Sequence, residues 1–379
     1  MTEASHHKIE SNQIGIYIHI PYCKTLCPYC DFVKTRTRGQ VPEDFVEALL
    51  QEIANYEGPN SAGSIFFGGG TPSLLAPRDL DRILGALHGK FSLRNPEITL
   101  EANPDDLDLM LVKAWRDLQV NRISLGVQSF DDGVLRYLGR RHDSKSALDA
   151  CHLVAAHFEN WSLDLIFGAR SGLHRDDAKM IQAWKTSLSL VKELAPPHCS
   201  AYGLTYEQGT PFAKRKDDAV DEDTYLLLYE AAEEFLSDYD HYEISNYALK
   251  NYQARHNLVY WHNGVYAGFG TGAYSFLNAV RARNKVDLAA YLAAPGTKEE
   301  AITISEHEMK VETLIQYFRL REGLPRSHYR QRFGCDVEHD FTQQFKELYA
   351  RGLLEHTPTH INPTALGFKL NNEIALALL

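Results

Sequence analysis

Six short strand-like runs, each followed by a longer segment with helical spacing of its apolar residues, set the fold class of this chain. One such segment places Leu107, Leu111, Trp115 and Leu118 on one helical face. Strands that alternate with helices form βαβ units and therefore a parallel sheet. Six such units without a clean Gly-x-Gly-x-x-Gly motif favour an α/β barrel or partial barrel over a dinucleotide-binding sheet. The six runs are IGIYIHI (14–20), SIFF (64–67), EITLEANP (97–104), RISLGVQSF (122–130), SLDLIFG (162–168) and CSAYGLT (199–205).

Polar residues stand at the ends of three of these runs, namely Glu101, Gln128 and Asp164. In a parallel barrel the carboxyl ends of the strands meet on one face, and that face carries the chemistry. We therefore expect these side chains to lie near one another at the functional end of the barrel. A lone carboxylate at a strand end is more often a helix cap or a solvated group, so only their shared placement supports this expectation.

Beyond about residue 206 the alternation loosens. A charged connector (210–223) leads to a predicted helix around 224–237, and a Gly- and Tyr-rich stretch covers 256–276. From about Ile304 a compact tail begins, with three helical patterns, two short strands around GLLEH and THINP, and a last helix. This order predicts a winged-helix-like α+β domain. The predicted divisions are a tail at 1–13, a core barrel at 14–240, a connecting region at 241–303 and the last domain at 304–379.

Charge and cysteine usage exclude several classes of protein. The chain has 39 basic and 50 acidic residues and a net charge of −11, which argues against nucleic acid or an anionic membrane as its main partner. Residues 303–379 carry nine basic and ten acidic residues, so the winged-helix-like tail shows no basic face for DNA.

Half of the six cysteines lie in one loop, which is not the pattern of a disulfide framework. With no stretch long and apolar enough to span a bilayer, we expect a cytoplasmic protein.

The crowded cysteine loop, HIPYCKTLCPYCDF (19–32), follows the first predicted strand. Its Cys23, Cys27 and Cys30 form Cys-x3-Cys-x2-Cys. A structural zinc site would need a fourth ligand, for which His19 on the preceding strand is the candidate. A [4Fe–4S] cubane normally takes four thiolates, so three from one loop would leave one iron open for another molecule. The spacing favours the cluster, and zinc is the alternative.

This loop resembles that of the radical S-adenosylmethionine (SAM) superfamily, in which the same spacing marks the cluster loop. The resemblance implies a partial (β/α)6 TIM-like barrel whose [4Fe–4S] cluster is held by Cys23, Cys27 and Cys30. It also implies that the amino and carboxylate groups of SAM chelate the open iron. An electron from the reduced cluster would then cleave SAM to methionine and a 5′-deoxyadenosyl radical, which requires an electron donor. Tyr29 flanks the cysteines and is expected to shield the cluster, although such aromatic residues often only pack.

Further segments match positions that contact SAM in the coproporphyrinogen-dehydrogenase branch of this superfamily. In GGGTPS (68–73), glycines let the backbone approach a ligand and their amides can meet a carboxylate, although the same letters also form an ordinary tight turn. The resemblance places Gly69, Gly70 and Thr71 beside the amino-acid part of SAM. It also implies SAM contacts at single residues on or after successive strands. These residues are Tyr17, Glu101, Gln128, Arg140 and Asp164.

Nearly the whole chain resembles the oxygen-independent coproporphyrinogen III oxidase group, through YIHIPYC, CPYCDF, GGGTPSLL, EANP, NRISLGVQSF and LGRRH. The true dehydrogenase has a further cysteine where this chain has Phe32. In addition, RHNLVYW (255–261) matches the His-Asn-x-x-Tyr-Trp signature of the HemW-type haem chaperones. The match implies that His256 is an axial ligand of haem iron, with Tyr260 and Trp261 stacking on the porphyrin. A structural histidine in an aromatic cluster is the alternative.

The resemblance therefore implies a haem chaperone that binds haem and transfers it to acceptor haemoproteins. Its expected cofactors are a [4Fe–4S] cluster, SAM and haem. Its expected partners are the acceptors and an electron donor, with no nucleic acid and at most peripheral contact with a membrane; the oligomeric state stays open. Two alternatives are an oxygen-independent coproporphyrinogen III oxidase and, more remotely, a zinc-stabilised binding module. One segment, GARSGLHRDD (168–177), departs from the Gly-Leu-Pro-x-Gln-Thr-like turn of the family, which puts the local SAM contacts in question.

Overall fold

All six predicted barrel strands are present in the computed structural model, which describes residues 13–172 and 176–379. The first strand covers the same seven residues as the predicted run. The others extend or shorten the predicted runs at their ends, where pairing with the neighbouring strand decides the boundary. The strands are β1 Ile14–Ile20, β2 Ser61–Gly69, β3 Ser92–Ala102, β4 Arg122–Gln128, β5 Trp161–Phe167 and β6 His198–Gly203.

These six strands lie side by side in chain order, and every neighbouring pair is parallel. Among the described residues β1 and β6 do not pair with each other, so the barrel is open and the predicted partial barrel is confirmed. The register of the strands places polar residues opposite each other. Glu101 of β3 lies opposite Ser124 of β4, and Asp164 of β5 lies opposite Ser200 of β6. Ser124 in turn lies opposite Ser162, two residues before Asp164, so polar side chains of four neighbouring strands occupy two successive inward-facing positions of the barrel.

The predicted connecting region, 241–303, supplies strands to both edges of this sheet. The added strands are β7 Asp240–Glu243, β8 Asn246–Ala248, β9 Tyr266–Phe269, β10 Tyr274–Leu277, β11 Val280–Asn284 and β12 Lys298–Thr303. On one side β9 pairs in parallel with β1 and is followed by the antiparallel β10, β11 and β12. On the other side β8 pairs antiparallel with both β6 and β7. Within the described chain the result is a sheet of twelve strands.

Helices follow most of the barrel strands and pack on them through an apolar face. In the first helix Phe45, Leu49 and Ile53 recur at helical spacing, and all three are fully buried. Several helices begin after an aspartate that caps them, as where Asp108 accepts from the backbone N–H of Leu111 at 2.8 Å. The helices of this part are α1 Glu43–Ala54, α2 Pro77–Lys90, α3 Leu109–Asp117, α4 Asp132–Tyr137, α5 Ser144–Ala155, α6 Asp177–Leu194, α7 Glu222–Phe235, α8 Arg255–Trp261 and α9 Leu288–Ala293. Short 3-10 helices cover Pro72–Leu74, Pro104–Asp106 and Pro211–Asp218, the last of them inside the predicted charged connector.

The tail builds a hydrophobic core of its own, which includes the buried residues Leu314, Phe318 and Phe345. Its elements are α10 Glu306–Tyr317, β13 Leu324–Pro325, α11 Arg326–Phe333, α12 Val337–Asp340, α13 Thr342–Ala350, β14 Leu354–His356, β15 His360–Pro363, α14 Ala365–Lys369 and α15 Asn371–Leu378. The strands form a small sheet in the order β13–β15–β14. Helices on both sides of the β14–β15 hairpin confirm the predicted winged-helix-like α+β fold. Over the described residues no helix has the length and apolar character needed to cross a membrane.

Candidate cofactor site

The cysteine loop lies at the carboxyl end of the barrel strands, directly after β1. Cys23 ends a two-residue strand, Tyr22–Cys23, which pairs with Thr35–Arg36 and closes the loop at its base. Between these strands the chain turns, and the N–H of Cys30 donates to the carbonyl of Cys27 at 3.3 Å. All three cysteines of the loop line one cavity of about 500 Å³.

The thiols of this loop fit an iron–sulfur cluster better than a zinc ion. Each is free, and burial raises the pKa of the Cys23 and Cys30 thiols. Within the described parts of the chain, no three His, Cys, Asp or Glu side chains converge closely enough to share one metal ion. A zinc ion would collect its sulfurs at about 2.3 Å. A cubane instead binds each thiolate at a different iron, which lets the sulfurs stand farther apart.

His19, the candidate fourth zinc ligand, supports the loop from β1. Its Nε2–H donates to the carbonyl of Val33 at 2.7 Å, and its Nδ1 accepts from the hydroxyl of Tyr17 at 3.1 Å. Burial lowers the pKa of His19, which favours the neutral ring. Both ring nitrogens are thus used in holding the end of the loop against the strand. Tyr17, a predicted SAM contact, belongs to this support and is not among the described residues that line the cavity.

The glycine-rich turn after β2 forms the next part of the cavity wall. Gly69 has a φ of +106°, and a Cβ at this position would overlap the ring of His19, so glycine is required. A Cβ at Gly70 would lie 2.7 Å from the carbonyl oxygen of Ile20. The absence of side chains therefore lets the backbone approach the cavity, which Gly69, Gly70 and Thr71 all line.

The predicted strand-end residues meet at the same cavity, since Glu101, Gln128 and Asp164 all lie on its wall. The backbone N–H of Gly69 donates to Glu101 Oε2 at 3.2 Å, which joins the glycine turn to β3. Gln128 has a φ of +68° at the point where the register between β4 and β5 shifts. Such a bulge redirects a side chain at the end of a strand. The structure thus brings together the three side chains that the strand pattern predicts to be neighbours.

Three serines hold the Asp164 carboxylate in place, and none of them is among the predicted site residues. Ser124 donates to Asp164 Oδ2 at 2.6 Å. Ser162 and Ser200 donate to Oδ1 at 2.8 Å and 2.7 Å. The signal that finds them is an inward-facing serine on each of three successive strands, with Ser124 opposite Ser162 and Ser200 opposite Asp164 itself. This arrangement is visible only when the register of the strands is known.

Glu101 has a strongly shifted pKa. Burial, followed by repulsion from Asp164, raises the pKa of Glu101 to about 8, against smaller opposing effects of the Gly69 N–H and the Arg122 charge. The ligand-free carboxyl is therefore mostly protonated at pH 7. A cation placed in the cavity would favour the ionised form instead.

Arg140 connects the cysteine loop to the barrel. Its Nη2 donates to the carbonyl of Gly126 at 2.9 Å and to Asn103 Oδ1, and its Nη1 lies 3.6 Å from the sulfur of Cys27. Tyr29 lines the same cavity. The predicted SAM contact at Arg140 and the predicted cluster shield at Tyr29 therefore both lie beside the cysteines.

One residue and one segment mark how this chain departs from related sequences. Phe32, which stands where the dehydrogenase has a further cysteine, is 60% exposed and lines the cavity. In the unusual 168–177 segment, residues 173–175 lie outside the described residues. Ser171, which precedes them, donates to Asp131 Oδ1 at 2.7 Å and so ties the segment to the start of α4.

His256 lies at the opposite end of the barrel from the cysteines. It belongs to α8, and a Cβ on Gly15 at the start of β1 would come within 3.2 Å of its ring. The hydroxyl of Ser64 lies 2.9 Å from His256 Nδ1, and the hydroxyl of Tyr260 lies 2.9 Å from Nε2. The residue is 1% exposed, and burial lowers its pKa to about 3. The predicted axial bond to haem iron therefore needs a rearrangement that frees one ring nitrogen.

The rest of the His-Asn-x-x-Tyr-Trp segment joins the barrel to the tail domain. Glu97 of β3 caps α8 by accepting from the backbone N–H groups of Arg255 and His256 at 3.2 Å and 3.0 Å. Trp261 packs against the tail core, and the guanidinium of Arg319 lies 4.4 Å from its ring centre. These contacts give the segment a structural role, whichever ligand it also binds.

We expect His256→Ala to lower the free energy of unfolding by about 1–3 kcal/mol, because Ser64 and Tyr260 lose a buried partner. Iron content should not change, since the cysteine loop lies at the other end of the barrel. His262→Ala is the matched control, because His262 lies six residues farther on, at the end of α8, and its side chain is partly exposed. A haem titration of the folded, cluster-loaded variant then decides the axial role. A changed haem spectrum with weaker affinity would support ligation, and an identical spectrum and affinity would remove His256 from the haem site.

Comparison with known proteins identifies the family. Residues 17–171 match the sequence profile of the Radical SAM superfamily, and residues 304–370 match the HemN C-terminal domain. The "Heme chaperone HemW" of Lactococcus lactis subsp. lactis (strain IL1403) is 33% identical over 368 residues, which cover 94% of this chain and 95% of that protein. The "Heme chaperone HemW" of Bacillus subtilis (strain 168) is 30% identical over 381 residues, which cover 96% and 98%.

Among solved structures, coproporphyrinogen III oxidase (HemN) from Escherichia coli matches with a TM-score of 0.82 at 21% identity. The match covers 98% of this chain and 91% of that one. At this identity the likeness concerns the fold, and it agrees with an open barrel followed by a small α+β domain. Together with the full-length sequence relatives, these findings show that the chain belongs to the HemW family of the radical SAM superfamily.

Proposed function

We propose that this chain is a haem chaperone that carries a [4Fe–4S] cluster and SAM at the carboxyl end of its barrel. One observation supports the cofactor part: three free thiols, the glycine turn and the acidic strand ends all line a single cavity. Convergence of ionisable groups with shifted pKa values on one opening is typical of a functional site. Family membership supports the haem part, because the full-length relatives are haem chaperones by name.

In the proposed site the three loop cysteines hold the cluster and leave one iron for SAM. When bound, this pair of groups supplies electron-transfer and radical chemistry. The chain's own part is binding and orientation. The glycine turn has no side chain at Gly69 or Gly70, so the amino-acid part of SAM can approach the backbone there, and Glu101 and Asp164 face its cationic groups. Arg140 holds the loop at Cys27, so the thiolates keep their position relative to the barrel.

The proposed partners are haem, acceptor haemoproteins and an electron donor for the cluster. The net charge of −11 supports a role without nucleic acid, and contact with a membrane would be peripheral. A cluster held by thiolates needs reduced cysteines, which favours the cytoplasm as the compartment.

The purified, cluster-loaded protein is expected to bind haem but to convert little or no coproporphyrinogen III to protoporphyrinogen IX in the presence of SAM and a reductant. The reason is Phe32, which stands on the cavity wall where the dehydrogenase has a further cysteine. Both assays use one anaerobically reconstituted preparation of measured iron content, so that a missing cluster cannot explain missing turnover. Robust turnover would move the assignment to the oxidase. A cluster-loaded protein that does not bind haem would overturn the chaperone function.

A further inference from the structure

Arg122 is a buried cation inside the barrel that makes no hydrogen bond or salt bridge within the described part of the chain. It begins β4, is 2% exposed, and lines the cavity. Its Nε has no hydrogen-bond partner. Arginine is almost never buried unless it is paired, because an unpaired charge loses its hydration without compensation. A buried polar group left unsatisfied in this way calls for a ligand or another specific explanation.

The neighbouring carboxyl groups form neither a hydrogen bond nor a salt bridge with Arg122. The charge of Arg122 opposes the rise in the pKa of Glu101, but the residue opposite Arg122 on β3 is Thr99, two positions before Glu101. Asp164 lies farther still toward the cysteines. Both oxygens of Asp164 already accept hydrogen bonds from serines. The hydroxyl of Thr99 is itself buried and has no hydrogen-bond partner. Two polar groups facing each other across neighbouring strands are therefore unsatisfied at the same depth.

Helix α8 borders the cavity on the side away from the cysteines. Asn257 of that helix lines the same cavity as Arg122, although the neighbouring His256 does not. Arg122 also lies near enough to α8 that its charge adds to burial in lowering the pKa of His256. A guanidinium and a carboxamide thus border the same cavity, and both offer N–H donors.

We propose that Arg122 binds a carboxylate at the floor of the barrel cavity. The planar guanidinium presents parallel N–H donors that match the two oxygens of a carboxylate. The Asp164 carboxylate, which lines the same cavity, disfavours a dianion such as phosphate and leaves a monoanion as the better ligand. The site lies deeper in the barrel than the position proposed for SAM, which the glycine turn and the cysteines border at the carboxyl ends of the strands.

A carboxylate at this depth has two sources. It is either a small free acid or the carboxylate arm of a larger molecule such as a haem propionate. The second source rests on the proposed haem function, and the first does not. The chemistry that Arg122 recognises is the same in both.

The test uses the full, cluster-loaded chain with carbon-13-labelled sodium propionate as the probe, followed by NMR at constant ionic strength. Wild type is expected to bind propionate saturably, and Arg122→Met is expected to bind it at least tenfold more weakly. Arg136→Met, an exposed arginine on α4, is the matched control and should bind as wild type does. Arg122→Lys keeps the charge without the planar fork and should bind with intermediate affinity.

Thermal unfolding without propionate separates a ligand site from a structural arginine. The proposal predicts that Arg122→Met unfolds at the same temperature as wild type or higher, because an unpaired buried charge is removed. A lower unfolding temperature with unchanged propionate affinity would overturn it. Should Arg122→Met not fold, an Arg122→Lys protein with wild-type propionate affinity would overturn it equally.

Haem and haem dimethyl ester distinguish the two sources. If Arg122 binds a haem propionate, esterification and Arg122→Met should each weaken haem binding at least tenfold, and free propionate should compete with haem. If Arg122 binds a small free acid, neither change should alter the affinity for haem. If the protein binds propionate saturably but does not bind haem, the proposed chaperone function is overturned and the carboxylate site is supported. If the protein binds haem independently of Arg122 and binds no propionate, only the carboxylate site is overturned.

Discussion

Replacement of Cys27 by alanine is expected to abolish the [4Fe–4S] cluster. The loop offers three thiolates, and the structure holds no substitute nearby: Cys151 and Cys199 are fully buried in the core, and Cys335 lies in the tail domain. After anaerobic reconstitution we expect about four irons per chain in wild type. The variant should retain almost none, and its iron–sulfur absorbance should be lost. Cys23→Ala and Cys30→Ala should behave in the same way.

The matched control is Cys335→Ala, which removes a partly buried thiol that lies 3.0 Å from Asp340 Oδ2 in the tail domain. Its iron content should equal that of wild type. Thermal unfolding of all the variants shows whether any loss of iron follows from a loss of fold. A folded Cys27→Ala protein with wild-type iron content and absorbance would contradict the cluster assignment.

The pKa of Glu101 is about 8. Below this pH, Glu101 is expected to make the affinity for SAM rise by about tenfold per pH unit. Above it, Glu101 should cause no further change of affinity with pH. The sign follows from the charge of the ligand. In the free protein the carboxyl is protonated below about pH 8, while the sulfonium of bound SAM favours the carboxylate. Binding at pH 7 must therefore release a proton from Glu101, and this requirement weakens binding as the pH falls.

Glu101→Gln isolates this contribution, because the amino group of SAM also loses a proton when it binds iron. The variant cannot ionise at this position and should show a smaller pH slope, with the largest loss of affinity above pH 8. The groups that face Glu101 are Asp164, Arg122 and Tyr17, with the Gly69 N–H, and they are unchanged in the variant. Calorimetry in buffers of different ionisation enthalpy measures the proton release. Equal slopes for wild type and Glu101→Gln would exclude a role of Glu101 in SAM binding.

Local sequence patterns were sufficient for the six-stranded barrel, for the tail domain and for one half of the site. A strand run such as IGIYIHI and the helical spacing of the segments between such runs are set by which residues must be buried, and burial repeats with the period of the element. The order of the elements then leads to a parallel sheet, and a parallel sheet brings Glu101, Gln128 and Asp164 to one end. The cysteine loop is the simplest case. Its three thiols lie within eight positions, so the chain itself keeps them together.

The other half of the site was decided by the tertiary structure. The serines around Asp164 and the unpaired Arg122 depend on the stagger between strands, which is set by contacts between residues far apart in the sequence. The same holds for His256, whose segment carries a family signature but no information about which end of the barrel it closes. The residues 241–303 read as a connector because their strands are short, and they become edges of the main sheet only when β1 and β6 offer unpaired backbone groups. Periodicity along one segment records what that segment buries. Which segments meet, and at which level, is a property of the whole packed chain.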